Sequence, residues 1–326
     1  MSDPETSEPD NTVPDWPGGL VSLGDDQVYV RTAPGAAADA EPALCVHGLE
    51  GSSRNWTDLM DLLRPRLACD ALDLPGFGNS PPRPDGRYSI AALAQTVIAL
   101  IERTGQAFGG PVHLLGNSLG GAVSVKVAAT RPDLIRTLTL ISPALPDTRL
   151  RLDLLRFPLM SVPGVGARLL RHYQHLPAER RVADVIANCF SDPRRFPPAR
   201  LAAEVAELTR RDALDYSAAA LVGSIRTLTA ETLRAGGRPA WRDAARITAP
   251  TLVIYGTDDP LVHARMAGKA ARAFATARIV VMPGTGHVAH MEHPHQVAAE
   301  IAVLLEAAGP GSQAGRAREF PLAPAG

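Results

Sequence analysis

A serine near the middle of this chain has the sequence surroundings that a nucleophile requires. The apolar run Val112–Leu115 predicts a short strand, and Gly116-Asn117-Ser118-Leu119-Gly120 follows it directly. The small residues 122–130 then predict a helix. A turn from strand to helix this tight would strain the serine backbone, and the flanking glycines avoid a collision across it. Ser118 Oγ would be exposed at the carboxyl edge of a sheet, although this pentapeptide also occurs in turns without a catalytic role.

A serine hydroxyl needs a base within hydrogen-bond reach, and the base needs an acceptor that fixes its tautomer. Asp258 and Asp259 follow the apolar run 251–256, and His287 follows the next one in Gly284-Thr285-Gly286-His287. In an open parallel sheet both loops lie at the edge that carries Ser118. The residue types alone leave both aspartates open. Three other histidines lie close by, but none of them directly follows a strand: His290, His293 and His295.

The elements that must position these residues alternate between strand and helix. Apolar runs and amphipathic stretches alternate from Ala43 to Pro143, and the alternation resumes at Pro250. This order predicts an α/β fold with a mostly parallel central sheet and helices on both of its faces. Residues 146–246 show amphipathic helical runs and no convincing strand, so they are expected to be a helical insertion. Arginine exceeds the acidic residues there, which is typical of a solvated face.

The same patterns give expected boundaries for the parts of the chain. Residues 1–19 are acidic, rich in proline and nearly devoid of aliphatic side chains, which predicts a disordered tail. The core is expected at 20–145 and 247–308, the insertion at 146–246, and a flexible tail rich in glycine, alanine and proline at 309–326.

Composition excludes several classes of function. Of the 326 residues 45% are hydrophobic and 21% are charged, as in globular proteins, and a net charge of -1 does not favour a nucleic-acid partner. No apolar run approaches the length of about 18 residues that a membrane span needs, and the acidic N-terminus does not resemble a signal peptide. The cysteines Cys45, Cys69 and Cys189 lack metal-ligand spacing, so free thiols and a cytoplasmic protein are expected. Neither a metal site nor a cofactor is expected.

Taken together, the motifs resemble the α/β-hydrolase fold family over residues 20–145 and 247–307. The matching pieces occur in the family's order: His47-Gly48, Asp73-x-Pro75-Gly76-x-Gly78, Gly116-Asn117-Ser118-Leu119-Gly120-Gly121, Gly256-x-x-Asp259 and Gly286-His287. The resemblance implies Ser118 as nucleophile, His287 as base and Asp259 as the acid, because the family places the acid three residues after the glycine. It also implies that the backbone N–H groups of Leu49 and Leu119 form the oxyanion hole, and that the insertion is a lid.

The expected function is hydrolysis of a carboxylic ester of a small, apolar substrate through an acyl-enzyme. Ser118 stands where epoxide hydrolases and haloalkane dehalogenases of this family have aspartate, which argues against both reactions. Three alternatives stay open: hydrolysis of a C–C bond as in meta-cleavage products, a cofactor-free perhydrolase, and a small-molecule receptor on the same scaffold. Leu155 and Phe157 are expected on the inner face of the lid. The oligomeric state is not indicated by the sequence.

Overall fold

A computed structural model describes residues 13–108, 110–147, 149, 156–162 and 164–309. Its centre is an eight-stranded sheet with the strand order β1-β2-β4-β3-β5-β6-β7-β8. The strands are β1 (Gly18–Leu23), β2 (Asp26–Ala33), β3 (Glu41–Val46), β4 (Leu67–Leu72), β5 (Val112–Asn117), β6 (Ile135–Ile141), β7 (Thr251–Gly256) and β8 (Ala277–Met282). Only the pairings of β2 with β1 and with β4 are antiparallel. The prediction of a mostly parallel sheet is confirmed.

Helices cover both faces of this sheet. They are α1 (Thr57–Leu63), α2 (Ile90–Phe108), α3 (Leu119–Thr130), α4 (Arg156–Ser161), α5 (Val165–Gln174), α6 (Ala178–Cys189), α7 (Pro198–Asp212), α8 (Ser217–Leu233), α9 (Arg238–Ala245), α10 (Met266–Ala273), α11 (Ala289–Glu292) and α12 (Pro294–Ala308). Side chains from α1 and α12 fill the core on one face, and side chains from α2, α3, α9 and α10 fill it on the other.

The strand sequences explain why both faces are covered. Every residue of β4, β5 and β7 is buried, which is the burial expected of continuous apolar runs in a parallel sheet. Successive side chains of a strand point to opposite faces. In β7 this sends Val253 and Tyr255 into one core and Leu252 and Ile254 into the other. The sheet is therefore fixed by apolar packing on two sides.

The segment between β6 and β7 contains six helices, α4 to α9, and no strand among its described residues. Its last helix does not belong with the others. Trp241 and Ala244 of α9 are buried in the same core as α3, so the expected boundary at residue 246 lies beyond the point where the core resumes. We call residues 146–237 the insertion from here on.

The N-terminal boundary also differs from the expectation. β1 begins at Gly18, and Trp16 Nε1 donates a hydrogen bond of 3.1 Å to the carbonyl of Thr57. Thr32 N–H donates to the carbonyl of Pro17 at 2.9 Å. Residues 13–19 are thus part of the fold, and a tail over 1–19 was wrong for them because one half-buried indole and one strand edge hold this segment. Residues 1–12 and 310–326 lie outside the described residues. No helix in the described part of the chain is long and apolar enough to cross a membrane.

Candidate active site

Ser118 occupies the turn between β5 and α3 in a backbone conformation that side-chain-bearing residues rarely adopt. Its φ is 52° and its ψ is −115°. Such a conformation costs about 1–3 kcal/mol and persists only where the surroundings fix it. Ser118 N–H donates to the carbonyl of Ile141 at 3.0 Å, and Ala144 N–H donates to the carbonyl of Ser118 at 2.9 Å. Both bonds come from the end of β6, which holds the strained turn in place.

The glycines on either side of Ser118 have the spatial role that the sequence predicts. A Cβ on Gly116 would lie 2.6 Å from the carbonyl oxygen of Gly120, and one on Gly120 would lie 2.2 Å from the carbonyl oxygen of Val46. A Cβ on Gly48 would lie 3.1 Å from Ser118 Cβ. The loop after β3 therefore passes directly over the serine turn, and this approach requires residues without side chains.

This close approach places the two expected oxyanion donors around one side chain. Leu119 is the first residue of α3, where backbone N–H groups have no acceptor within the helix. Leu49 directly follows Gly48, whose α-carbon faces Ser118. An oxyanion that develops next to a serine nucleophile is stabilised by two such backbone N–H donors. The assignment of both donors stays a prediction.

Asp259 and His287 form a buried pair at the same sheet edge. His287 Nδ1 lies 2.8 Å from Asp259 Oδ2, and the residues are 4% and 5% exposed. The other carboxylate oxygen accepts hydrogen bonds from the N–H groups of Leu261 at 2.8 Å and Val262 at 2.9 Å. Burial acts to raise the pKa of Asp259, but the charge of His287 and the hydrogen bonds from His287 and Val262 N–H outweigh burial and hold the pKa below its ordinary value. The carboxylate is therefore ionised and fixed against the imidazole.

Asp258, the other candidate acid, faces away from His287. It is exposed, and its carboxylate accepts hydrogen bonds from Ser191 Oγ at 2.8 Å and Thr257 Oγ1 at 2.9 Å. These two hydroxyl groups lower the pKa of Asp258. Of the two neighbouring aspartates, the one that the family spacing selects is the one that contacts the histidine.

His47 and Asp73 make hydrogen bonds with the backbone of the loops beside the site. His47 Nε2 accepts a hydrogen bond from Leu74 N–H at 2.9 Å, and its Nδ1 lies 2.7 Å from the carbonyl of Gly48. Burial lowers the pKa of His47, so the ring is neutral. Asp73 accepts hydrogen bonds from the N–H groups of Ser53 at 2.6 Å and Asn79 at 2.7 Å. Both side chains fix the turns on which the glycine-rich loop rests.

Comparison with known proteins agrees with this geometry. The sequence profile of the alpha/beta hydrolase fold matches residues 42–294, which is more than half of the chain. The chain belongs to the α/β-hydrolase fold family.

Among curated relatives, this α/β hydrolase is 27% identical over 270 residues to the dihydrolipoyllysine-residue acetyltransferase component of the acetoin cleaving system of Pseudomonas putida. That match covers 81% of this chain but only 63% of the relative, so the chain spans less than two thirds of that protein. It is also 27% identical over 257 residues to the pimeloyl-[acyl-carrier protein] methyl ester esterase of Yersinia pseudotuberculosis, covering 78% of this chain and 88% of the relative. Among solved structures, the haloalkane dehalogenase DbeA of Bradyrhizobium elkani has a TM-score of 0.73 at 25% identity, covering 90% of this chain and 99% of the dehalogenase.

One residue that was not singled out from the sequence links the turn of Ser118 to the loop of His287. Asn117 Nδ2 donates hydrogen bonds to the carbonyl of Ile141 at 3.0 Å and to the carbonyl of His287 at 3.1 Å. The α/β hydrolase thus joins the ends of β5 and β6 and the loop after β8 through one amide. The variable position of the Gly-x-Ser-x-Gly motif offers no signal for this role, because the contact depends on loops distant in sequence.

The insertion lies directly against this edge. Leu49 packs on an apolar cluster formed by Leu170, Leu221, Val222 and Ile225 of α5 and α8. Leu159 is 49% exposed and does not contribute to it. Of the two residues expected on the inner face, Leu155 lies outside the described residues, and Phe157 lies in α4 with its side chain outside the description.

Two arginines of the insertion are buried, against the expectation of a solvated face. Arg211 is 8% exposed and donates to the carbonyl of Glu50 at 2.8 Å, next to Leu49. Arg181 is 3% exposed and pairs with Asp212. Burial raises the pKa of Glu50, while Arg211 and Arg181 oppose that change. Composition alone cannot distinguish such buried arginines from solvated ones.

The histidines that follow His287 do not form a metal centre. His290 is buried with its ring 4.3 Å from that of Trp56, and His293 Nε2 accepts a hydrogen bond from Arg195. Within the described ranges no group of three or more histidine, cysteine or carboxylate side chains could hold a metal ion.

Proposed function

We propose that this α/β hydrolase cleaves a carboxylic ester of a small, apolar substrate through an acyl-enzyme. One observation carries the proposal: a serine held in a strained turn at the end of β5 lies at the same sheet edge as a buried aspartate–histidine pair. A serine becomes a competent nucleophile when a base is oriented beside it by a third group. Ser118, His287 and Asp259 are the proposed nucleophile, base and orienting acid.

In this mechanism Ser118 Oγ attacks the ester carbonyl carbon while His287 Nε2 takes the hydroxyl proton. Asp259 accepts the Nδ1–H of the imidazole, fixes its tautomer and stabilises the imidazolium that forms. The oxyanion of the tetrahedral intermediate is bound by the N–H groups of Leu49 and Leu119. Collapse expels the alcohol, which takes the proton from His287. A water molecule then attacks the acyl-enzyme with His287 again as base, which releases the acid and regenerates Ser118.

The insertion is proposed to be the lid of this site and to select the substrate. The apolar cluster of α5 and α8 that contacts Leu49 lies beside a proposed oxyanion donor. An ester group bound there would lie next to aliphatic side chains and away from bulk water, which strengthens the hydrogen bonds to the oxyanion. This contact supports a small, apolar substrate.

The nucleophile is tested with a Ser118→Ala variant and nitrophenyl esters of increasing chain length. We expect kcat/KM to fall by about 10⁴-fold or more, because members of a triad act as one unit. A fluorophosphonate probe should label the wild type and leave Ser118→Ala unlabelled. Ser124→Ala is the matched control, since this buried serine lies six residues after Ser118 in α3, and it should keep activity and labelling.

The ester assignment is tested by a vinylogous diketone in the same assay. Turnover of the diketone without turnover of any ester would replace the proposal with C–C bond hydrolysis. Undiminished labelling of Ser118→Ala would instead show that another residue is the nucleophile.

A further inference from the structure

His287 lies in the loop between β8 and α11, residues 283–288, which we call the histidine loop. This loop is attached to a short stretch of the insertion. We call Cys189–Arg195 the anchor segment. His287 N–H donates a hydrogen bond of 2.6 Å to the carbonyl of Cys189. A Cβ on Gly286 would lie 2.3 Å from the same carbonyl oxygen, so the two backbones touch. The position of the histidine backbone therefore depends on the insertion as well as on the sheet.

A single carboxylate joins the two sides of this contact. The Glu292 side chain, at the end of α11, is fully buried. Its Oε2 accepts hydrogen bonds from the N–H groups of Gly286 at 2.7 Å and Ser191 at 3.2 Å. Its Oε1 accepts hydrogen bonds from Asp192 N–H at 3.0 Å and Arg195 Nη1 at 2.9 Å. One donor comes from the histidine loop and three come from the anchor segment.

The chemistry of this arrangement makes the contact strong and directional. A buried carboxylate is tolerated only when it is paired and hydrogen-bonded, and Glu292 has four donors for its two oxygens. Hydrogen bonds to an ionised acceptor are about twice as strong as neutral ones. Arg195 Nη1 also donates to the carbonyl of Gly284 at 3.0 Å, so the guanidinium connects the carboxylate to the start of the loop.

The histidine loop needs such a restraint because its own backbone supplies little rigidity. Gly284 has a φ of 57°, and Gly286 precedes the histidine directly. Glycine has more accessible conformations than any other residue, so the loop would relax without an external partner. A displacement of about 1 Å at a reacting group can cost about 10²-fold in rate.

We propose that Glu292 is a positioning residue for the base: it holds Gly286 against the anchor segment and so fixes the distance between His287 and Ser118. This inference rests on the proposed function of His287. Glu292 accepts its four hydrogen bonds from the backbone of this loop and from the anchor segment, so its effect on His287 passes through the backbone of the loop. The anchor segment is then a permanent part of the reaction centre.

The test replaces Glu292 with glutamine, which keeps the shape but points an NH₂ group at donors. We expect kcat for a nitrophenyl ester to fall by about 10- to 100-fold, because the base is displaced. KM should stay within about twofold of the wild-type value, because the apolar cluster of α5 and α8 is intact. Glu300→Gln is the matched control, because this carboxylate pairs with Arg278 at the surface. It should leave both constants unchanged.

A second readout does not depend on ester turnover. The proton between His287 Nδ1 and Asp259 should give a downfield NMR resonance in the wild type that persists in Glu300→Gln. It should broaden or disappear in Glu292→Gln. If the wild type hydrolyses no ester, the proposed function fails, and this resonance alone still decides the role of Glu292.

A folded Glu292→Gln protein with wild-type kcat and an unchanged resonance would overturn the inference. Should that variant fail to fold, Arg195→Gln replaces it. Removing one of the four donors should lower kcat about three- to tenfold and weaken the resonance, in line with a charge-assisted hydrogen bond. Wild-type values for both measures in Arg195→Gln would then count against the proposal.

Discussion

The sheet edge is held by apolar packing, whereas the insertion that packs on it is held both by apolar contacts, as at Leu49, and by separate polar contacts. The strands that carry Ser118 and Asp259 are buried along their whole length and fixed by apolar packing on both faces. The insertion leaves apolar side chains exposed on its outer surface, among them Leu159, Val162, Leu169, Val185, Leu201 and Leu233. It is attached to the core at separate polar points: Arg200 with Asp58, Arg211 with the carbonyl of Glu50, and the anchor segment with Glu292.

This difference separates two ways of placing a functional group. Apolar packing is not directional, and it fixes the strands collectively because many side chains contribute. A charge-assisted hydrogen bond fixes one loop at one atom, and its loss acts on that loop first. Substitutions at the sheet edge should therefore abolish chemistry or the fold, whereas substitutions on the outside of the insertion should do neither.

The largest effect is expected at the sheet edge, where two neighbouring aspartates can be compared. Asp259→Asn should lower kcat by about 10⁴-fold, because an amide in this position stabilises the wrong imidazole tautomer. Asp258→Asn should change kcat by less than about threefold, since the hydrogen bonds of that exposed carboxylate are made at the surface, to Ser191 and Thr257. Steady-state kinetics on a nitrophenyl ester measure both. A larger loss of kcat in Asp258→Asn than in Asp259→Asn would show that Asp258, and not Asp259, is the acid.

An intermediate effect is expected from His290, a buried histidine beside the site. Burial, followed by the charge of His287, lowers the pKa of His290 to about 3 from its ordinary 6.5. The unfolded chain therefore binds this proton at a higher pH than the folded protein does. Between pH 6.5 and about 3 the free energy of unfolding should fall by about 1.4 kcal/mol for each unit of acidification, and above this window His290 should have no effect.

Denaturant unfolding at a series of pH values tests this slope. His290→Phe keeps a ring against Trp56 and should reduce the slope by about one proton. His295→Phe, at an exposed position of α12, should keep the wild-type slope. Equal slopes for wild type and His290→Phe would show that protonation of His290 does not lower the free energy of unfolding.

The smallest effect is expected on the outer face of α5. Leu169 is 39% exposed, and Leu169→Gln should change the free energy of unfolding by no more than about 0.5 kcal/mol, with unchanged ester kinetics. Its neighbour Leu170 is 5% exposed in the cluster that contacts Leu49. Leu170→Ala should cost about 2–5 kcal/mol. A large change in the free energy of unfolding or in the ester kinetics of Leu169→Gln would show that this surface is covered. The inside and outside of the insertion would then not differ as described.

The residues at the sheet edge could be predicted from the sequence because the signals that mark them are local. A tight turn needs glycines next to Ser118, and the end of a buried strand marks Asp259 and His287. The contacts of Glu292 could not be predicted this way, because its partners include the backbone N–H groups of Ser191 and Asp192, which any residue type would supply. The sequence pattern placed helix α9 in the insertion, because an amphipathic helix has the same pattern whether it packs on the sheet or lies in the insertion. The N-terminal boundary was missed because a lone Trp16 in a proline-rich stretch gives no periodicity.

The hydrogen bond from His287 to Cys189 has a consequence for how the molecule acquires its reactivity. During synthesis the serine turn and the whole insertion leave the ribosome well before the histidine loop does. A chain that ends before β8 would contain the proposed nucleophile and the insertion, but not His287, the proposed base. The loop can reach its place only by docking onto a surface that earlier residues have already built. Hydrolytic activity should therefore appear late in folding and in a single step, after the insertion has packed on the sheet.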